Sequence, residues 1–443
     1  MKDAYIITGG KPYSGEVQLS GAKNVALKVI IASLLLDGEV ILGNIPYIRD
    51  VAELIELTTS LGIKLRRDGH NLTIDSKGFL EKKIDMLSAS KIRVSFMLFA
   101  PLLYRFGKAS IPNPGGCRLG ARPIDRQIEM MKAFGVKVIY DSSSGYYHTS
   151  LKSKKPQSTH YKFSKPTHTG TELALMFAAI ADGSSRIDNA ACEPEIDDLV
   201  NFLNQSGAKI TGKNGCFNIV GVDKLIPGNV FTISNDRNEA PTFAAFAIAT
   251  KGDVCVKGIS KQAIRSFVKR LEEAGGGVEE VRGGIRFFYK RRLLSSNITT
   301  RPHPGFMTDW QGPWAVLMTQ AKGISTIHET VFENRFGYVS ELKKLGARID
   351  FYEPKVRNSN KIYQFNINDR NKECEPQAIR IEGGSTLHGG VLTVSDLRAG
   401  ASLLIAAACT QGETIINGAS VIDRGYEKID KKLLTLGATI KKV

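Results

Sequence analysis

Close cysteine pairs are missing from this 443-residue chain. Its six cysteines, at 117, 192, 216, 255, 374 and 409, include no CxxC. That excludes the disulfide framework of small secreted proteins and a close-spaced zinc site, leaving free thiols in a reducing compartment. Long apolar runs are absent too. The start "MKDAYIITGG" holds no signal-peptide core, and "VALKVIIASLLL" (25–36) is broken by Lys28 and too short to span a bilayer. A cytoplasmic protein without a membrane span is expected. Acidic charge is scarce: 44 Asp and Glu stand against 60 Lys and Arg, for a net +16. A basic surplus attracts nucleic acid, and equally phosphorylated metabolites. The basic residues are scattered, with clusters only as short as "KSKK" (152–155) and "KRR" (290–292), which read as solvated faces. No basic stripe with interleaved aromatics appears, so a nucleic-acid partner is not expected.

What the chain has in quantity is rhythm. A helix tail, a glycine and an alternating strand recur six times, as in "LTTSLGIKLRR", "MKAFGVKVIY" and "LLTLGATIKK". The glycines fall at 62, 135, 207, 275, 346 and 437, spaced by 73, 72, 68, 71 and 91 residues. A second phrase, an apolar helix followed by polar–Gly and a strand, stays in phase with glycines at 38, 107, 183, 252, 323 and 412. Repeats of this length indicate a modular fold. Glycine just past a helix takes the left-handed conformation that closes the last turn. Stretches such as "APTFAAFAIA" and "AGASLLIAAA" are apolar nearly all round, the mark of helices inside a core.

Three such units enclose one helical core, and six make two similar domains. A chain of this length exceeds the ~250–300 residues at which single cores stop growing. The expected division places a first α/β domain at 22–230, carrying the loop 112–123, and a second at 1–21 plus 231–443. The N-terminal strands "AYIITGG" and "GEVQLS" are expected to pair with the last repeat. The chain then crosses twice between domains, leaving a hinge and a cleft suited to a ligand. The wider final spacing places an insertion at 353–376, expected as a surface excursion.

Chemistry concentrates in a few phrases: "SGAKN" (20–24), "PGGCRLGARP" (114–123), "DNAACEPEI" (188–196), "ETVFENRF" (329–336), "SDLRAGASL" (395–403) and "IDRGYEKID" (422–430). In this order, over essentially the whole chain, they resemble the bacterial UDP-N-acetylglucosamine enolpyruvyl transferases, structural cousins of 5-enolpyruvylshikimate-3-phosphate synthase. The resemblance implies two inside-out α/β domains, each of three βαβαββ units with internal helices. It implies transfer of the enolpyruvyl group of phosphoenolpyruvate to the sugar 3-hydroxyl by addition and elimination of phosphate, the first committed step of peptidoglycan synthesis. No cofactor or metal is implied; the partners are those two small molecules, and the chain is expected to act as a monomer.

The same resemblance assigns residues. Cys117 matches the general acid that adds to phosphoenolpyruvate and is alkylated by fosfomycin. A thiol on a glycine-rich loop near Arg118 and Arg122 suits a lowered pKa, whereas a lone cysteine is most often a small buried residue, the fate expected of the other five. Lys23, catalytic and phosphoenolpyruvate-binding, and Asn24 stand at a helix start, where a lysine adds charge to free backbone N–H groups; an isolated lysine there is otherwise solvated. Arg122, Arg398 and Arg424 match cations around phosphate and carboxylate, with Arg398 also counted as catalytic. Asp309 matches the carboxylate beside the 3-hydroxyl, a base or proton relay; an Asp after Thr also suits a helix N-cap. Arg93, Arg122, Pro123, Ile124, Asp125, Arg126, His168, Thr169, Gly170, Asp309 and Val331 are the implied contacts of the nucleotide sugar. Glu193, Glu195 and Asp396 lie in the same motifs, where a buried ion pair is as suitable as catalysis.

Two departures from the family pattern fall at the nucleotide end. Arg126 stands where an aliphatic residue usually covers the uracil, and an arginine stacks on a base instead. In "SKPTHTGTELALM" (164–176), His168 and Thr169 replace a Ser-Val pair. They leave open a different uridine acceptor, such as UMP or another nucleotide sugar. The shikimate branch fits less well because "PGGCRLGARP" belongs to the sugar branch. Retention of Lys23, Cys117, Arg122, Asp309, Arg398 and Arg424 together argues against a catalytically dead homologue.

Overall fold

The computed structural model of the chain describes residues 3–115, 123–367 and 376–443. Cys117 and Arg122, and residues 368–375 of the 353–376 insertion with Cys374, lie outside the described residues. The chain divides into two compact units, one built from residues up to 20 together with 235–443 and the other from residues 21–234. Residues up to 234 belong with the second unit because the strand Phe231–Thr232 pairs in parallel with Glu39–Gly43. The passage therefore falls four residues beyond the expected boundary at 230.

Each repeat contains one inner helix, one outer helix and a small sheet. In the 21–234 unit the inner helices are Lys23–Ser33, Phe99–Phe106 and His168–Ala179; in the other they are Glu239–Ala249, Gln311–Gln320 and Leu397–Cys409. Every residue of Gln311–Gln320 except the last is buried, as an all-apolar helix surface requires. Helices Glu239–Ala249, Gln311–Gln320 and Leu397–Cys409 pack directly on one another. Small residues permit the approach: a Cβ at Gly312 would run into Ser402 Oγ of the neighbouring helix.

The outer helices, such as Arg49–Ser60 and Arg265–Ala274, bury one face only. All six glycines that follow them have positive φ, between 82° and 96°. The second set of glycines obeys the same rule except at 252. There Lys251 takes the left-handed conformation at φ 58°, and Gly252 meets a different need, because a Cβ on it would strike the Tyr13 carbonyl.

Among the described residues five sheets have four strands and one has three. The N-terminal strand Ala4–Gly9 lies between Gly412–Asn417 and Thr439–Lys442, antiparallel to both, as expected of a partner for the last repeat. The next strand, Ser14–Gln18, does not. It pairs in parallel with Asp253–Lys257 of the fourth repeat, with Val17 opposite Val256, because its single buried position completes that sheet instead.

The insertion is less of an excursion than its composition suggests. Tyr363 and Phe365 are buried, the Tyr363 hydroxyl bonds His328 Nε2 at 3.0 Å, and Gln364 N–H donates to the Thr330 carbonyl at 2.8 Å. Two aromatic side chains anchor it. The described cysteines 192, 216, 255 and 409 are free but half-buried rather than fully enclosed, a correction to the expected packing role. Burial pushes the Cys409 thiol up to about 12, so it is chemically quiet.

Candidate active site

The sequence-predicted residues of the 21–234 unit lie at helix starts: two groups open the inner helices Lys23–Ser33 and His168–Ala179, and a third precedes or opens the outer helix Asp125–Ala133. Lys23 is the first residue of Lys23–Ser33, and its Nζ lies 2.7 Å from Asp50 Oδ2, with both side chains largely buried. Asn24 follows, half-buried. Nothing in the local sequence marked Asp50; it arrives from the outer helix Arg49–Ser60. Arg93 opens the 3-10 turn Arg93–Leu98 and donates from Nη1 to the Pro114 carbonyl at 3.2 Å, against the base of the 112–123 loop.

Pro123 and Asp125 are exposed, and Arg126 is half-exposed. Ile124 is corrected: at 2% exposure it belongs to the hydrophobic core, so its side chain is unavailable to a ligand. Its burial anchors the helix Asp125–Ala133 that follows it.

Helix His168–Ala179 begins on Thr167, whose Oγ1 accepts from Gly170 N–H at 3.3 Å. Gly170 is buried against the Thr167 methyl, leaving no space for a Cβ. Thr169 Oγ1 accepts from Gln127 Nε2 at 3.0 Å. Beneath this end sits a buried charge row that the sequence reading missed. Glu172, fully buried, lies 3.2 Å from Lys28 Nζ and 3.3 Å from His168 Nε2. Neither approach is aligned as a hydrogen bond, so these contacts are ion pairs. Burial works against the charged form of His168, but the Glu172 carboxylate together with Glu193 raises its pKa on balance. A lysine inside an apolar inner helix was the available signal, since it requires a counter-charge.

In the other unit, Asp309 lies in the turn Thr308–Trp310 ahead of Gln311–Gln320 and caps no helix with its side chain. It is held by arginines instead. Arg335 Nη2 donates to Asp309 Oδ1 at 2.5 Å, and Arg398 Nε stands 3.8 Å from Asp309 Oδ2. Arg335 also reaches Asp396 at 3.1 Å through Nη1, while Asp396 caps Leu397–Cys409 by accepting from the backbone N–H groups of Arg398 and Ala399. Thus Asp396 serves both as a cap and in a buried pair.

Arg398 is buried, with Nη2 3.9 Å from Asp236 and its guanidinium 5.0 Å from the Tyr426 ring centre. Burial opposes its charge, but Tyr426, Asp309 and Asp236 overcome that and raise its pKa. Arg424 follows the short helix Ala419–Ile422 and is half-exposed. Val331 is half-exposed, and its N–H is committed to Glu329 Oε1 at 2.7 Å, so its carbonyl and side chain are the parts available to a ligand.

Glu329 is fully buried and also accepts from Thr308 Oγ1 at 2.8 Å and Gln311 Nε2 at 3.0 Å; burial raises its pKa. Arg335 and Glu329 both lie within the quoted "ETVFENRF", but their roles needed the fold to appear. Glu193 and Glu195 are buried at the start of Pro194–Gln205.

Among the described residues, no group of three or more His, Cys, Asp or Glu is arranged to hold a metal ion, and no helix is long and apolar enough to cross a membrane. Within the 235–443 unit, one carboxylate is clamped between guanidinium groups, a geometry suited to a proton transfer at Asp309.

Comparison with known proteins agrees. The family model for EPSP synthase (3-phosphoshikimate 1-carboxyvinyltransferase) matches residues 7–433. A UDP-N-acetylglucosamine 1-carboxyvinyltransferase from Desulfatibacillum aliphaticivorans is 39% identical over 442 residues, covering 100% of both chains. One of the same name from Thermodesulfovibrio yellowstonii is 38% identical over 444 residues, with the same full coverage. Among solved structures, the enolpyruvyl transferase NikO from Streptomyces tendae superimposes with a TM-score of 0.85 at 22% identity, over 99% of this chain and 98% of that one. EPSP synthase from Acinetobacter baumannii gives 0.71 at 15% identity, over 99% of each chain. At those identities the structural likeness speaks for the fold.

Proposed function

The chain belongs to the EPSP synthase family of 1-carboxyvinyltransferases, and we infer from this membership that it transfers an enolpyruvyl group from phosphoenolpyruvate to UDP-N-acetylglucosamine. The products are the 3-O-enolpyruvyl ether and phosphate, in the first committed step of peptidoglycan synthesis. Full-length relatives at 37–39% identity carry that activity in their names, which favours this acceptor over UMP. The enzyme acts in the cytoplasm, as a monomer.

The residue roles below are part of the proposal. The carrying observation is Asp309 fixed between Arg335 at 2.5 Å and Arg398 at 3.8 Å. A carboxylate so oriented accepts the proton of the sugar 3-hydroxyl as that oxygen attacks the central carbon of phosphoenolpyruvate. Cys117 supplies the proton to the vinyl methylene. Elimination then expels phosphate and regenerates the double bond as the newly formed methyl group gives up a proton. Lys23, Asn24, Arg122 and Arg424 balance the phosphate and carboxylate of phosphoenolpyruvate, and charged donors aimed at such oxygens act most strongly where water is excluded. Arg93, Arg122, Pro123, Asp125, Arg126, His168, Thr169, Gly170 and Val331 are assigned to the nucleotide sugar, with Ile124 contributing backbone only. His168 and the helix end beneath it offer a cation and backbone N–H groups to a diphosphate.

The test is incubation with phosphoenolpyruvate and a panel of uridine nucleotides, reading phosphate release and product mass. Phosphate and the enolpyruvyl ether should appear with UDP-N-acetylglucosamine. Turnover with UMP alone would reassign the acceptor.

A further inference from the structure

Among the described residues, five of the six sheets carry a strand laid parallel against the first strand of their repeat, and the sheet of Lys108–Pro112, Tyr146–Leu151 and Val136–Asp141 carries none. Beside Lys108–Pro112 the chain at 76–85 runs as irregular backbone, touching the strand where Ile84 N–H donates to the Ser110 carbonyl at 3.0 Å. Freed from strand geometry, this segment brings Glu81, Lys82 and Lys83 beside the outward face of the sheet. Between them lies a cavity of about 440 Å³, its lining completed by Leu102, Ala109, Ile139 and Thr149, within the size range of metabolite sites. It is made where the repeat breaks.

Strand alternation turns Lys108, Ser110, Lys137 and His148 into this cavity. Four lysines line it against one carboxylate, Glu81, which Lys108 holds at 2.8 Å. Lys83 Nζ is parked 3.6 Å above the Tyr146 ring, and Lys82 donates to the Ser60 carbonyl at 3.1 Å. Among the described residues, Lys137 has no acidic partner. Ser110 Oγ and His148 Nδ1 are 2.9 Å apart. Whichever of the two donates, one N–H or O–H of the pair remains for a ligand. The cavity thus presents surplus positive charge and a spare donor.

We propose that this cavity is a second anion site, separate from the residues assigned to the reaction, which binds a small phosphorylated metabolite through Lys83, Lys137 and the Ser110–His148 pair. A phosphoryl dianion engages several lysines and the spare donor together, whereas a single carboxylate offers less charge against the cost of desolvation.

The probe is inorganic pyrophosphate, titrated calorimetrically into the full chain at low ionic strength. Because phosphate-binding residues of the reaction also attract it, titration is repeated in a Lys23→Ala background. Binding should persist there and weaken by about tenfold or more in K83Q/K137Q, one charged contact being worth about that factor. Lys137→Gln alone, at an exposed strand position, should weaken it in the same direction. Turnover with saturating substrates should be unchanged in both lysine variants. Identical isotherms with and without the lysine substitutions would overturn the site, as would a turnover that falls along with pyrophosphate binding.

Discussion

Arg335 holds Asp309 at 2.5 Å with one terminal nitrogen and Asp396 at 3.1 Å with the other. One buried guanidinium therefore sets the position of the proposed base and braces the cap of the inner helix Leu397–Cys409. Arg335→Gln should reduce kcat by roughly 100-fold, since displacing a reacting group by an ångström costs about that much. It should also lower stability by about 3 kcal/mol, because it strands the buried Asp396 and the half-buried Asp309 without their partner. Phosphate release and urea denaturation measure the two effects; a variant as active as the parent would sink the assignment of Asp309.

Cys117→Asp should retain turnover and lose inactivation by fosfomycin, because a carboxylic acid still delivers a proton but is not the thiolate that fosfomycin alkylates. Time-dependent inactivation by fosfomycin in this variant would identify a different thiol as the target.

Lys23 has two claims on it, the pair with Asp50 and the proposed contact with phosphoenolpyruvate. Lys23→Ala alone confounds them by leaving Asp50 unbalanced. The double variant K23M/D50L should recover stability while kcat/KM for phosphoenolpyruvate stays down by roughly 100-fold, the usual cost of losing one donor to a reacting anion. Recovery of both would make Lys23 a structural residue.

The raised pKa of His168 predicts a pH-dependent contribution. Glu172 favours its charged form, Lys28 opposes it, and Glu193 adds a smaller favourable field. A folded pKa above the ordinary value of about 6.5 means the stabilisation is complete below that value and fades as pH climbs through the folded one. The stability gap between the parent and His168→Asn should therefore be widest below about pH 6.5 and should narrow as pH rises above it. A gap that widens with pH would show that His168 is neutral in the fold.

The local code of the chain reached far. Glycines with positive φ after each outer helix, and inner helices apolar on every side, follow from neighbours a few residues apart, so the six repeats were legible from spacing alone. Motifs pointed to Lys23, Asp309 and Arg398 one at a time. Which charges meet was not legible: Arg335 joins Asp309 and Asp396 from 26 and 61 residues away, and Lys28 finds Glu172 across two repeats. Local pattern decides which face of an element is buried, so the sequence by itself determined the repeat, the helical cores and the family. Pairing between distant charges depends on angles and desolvation that exist only after packing, and so the tertiary structure decided the arginine clamp, the buried row under His168, the partner of Ser14–Gln18 and the cavity beside the sheet of Lys108–Pro112.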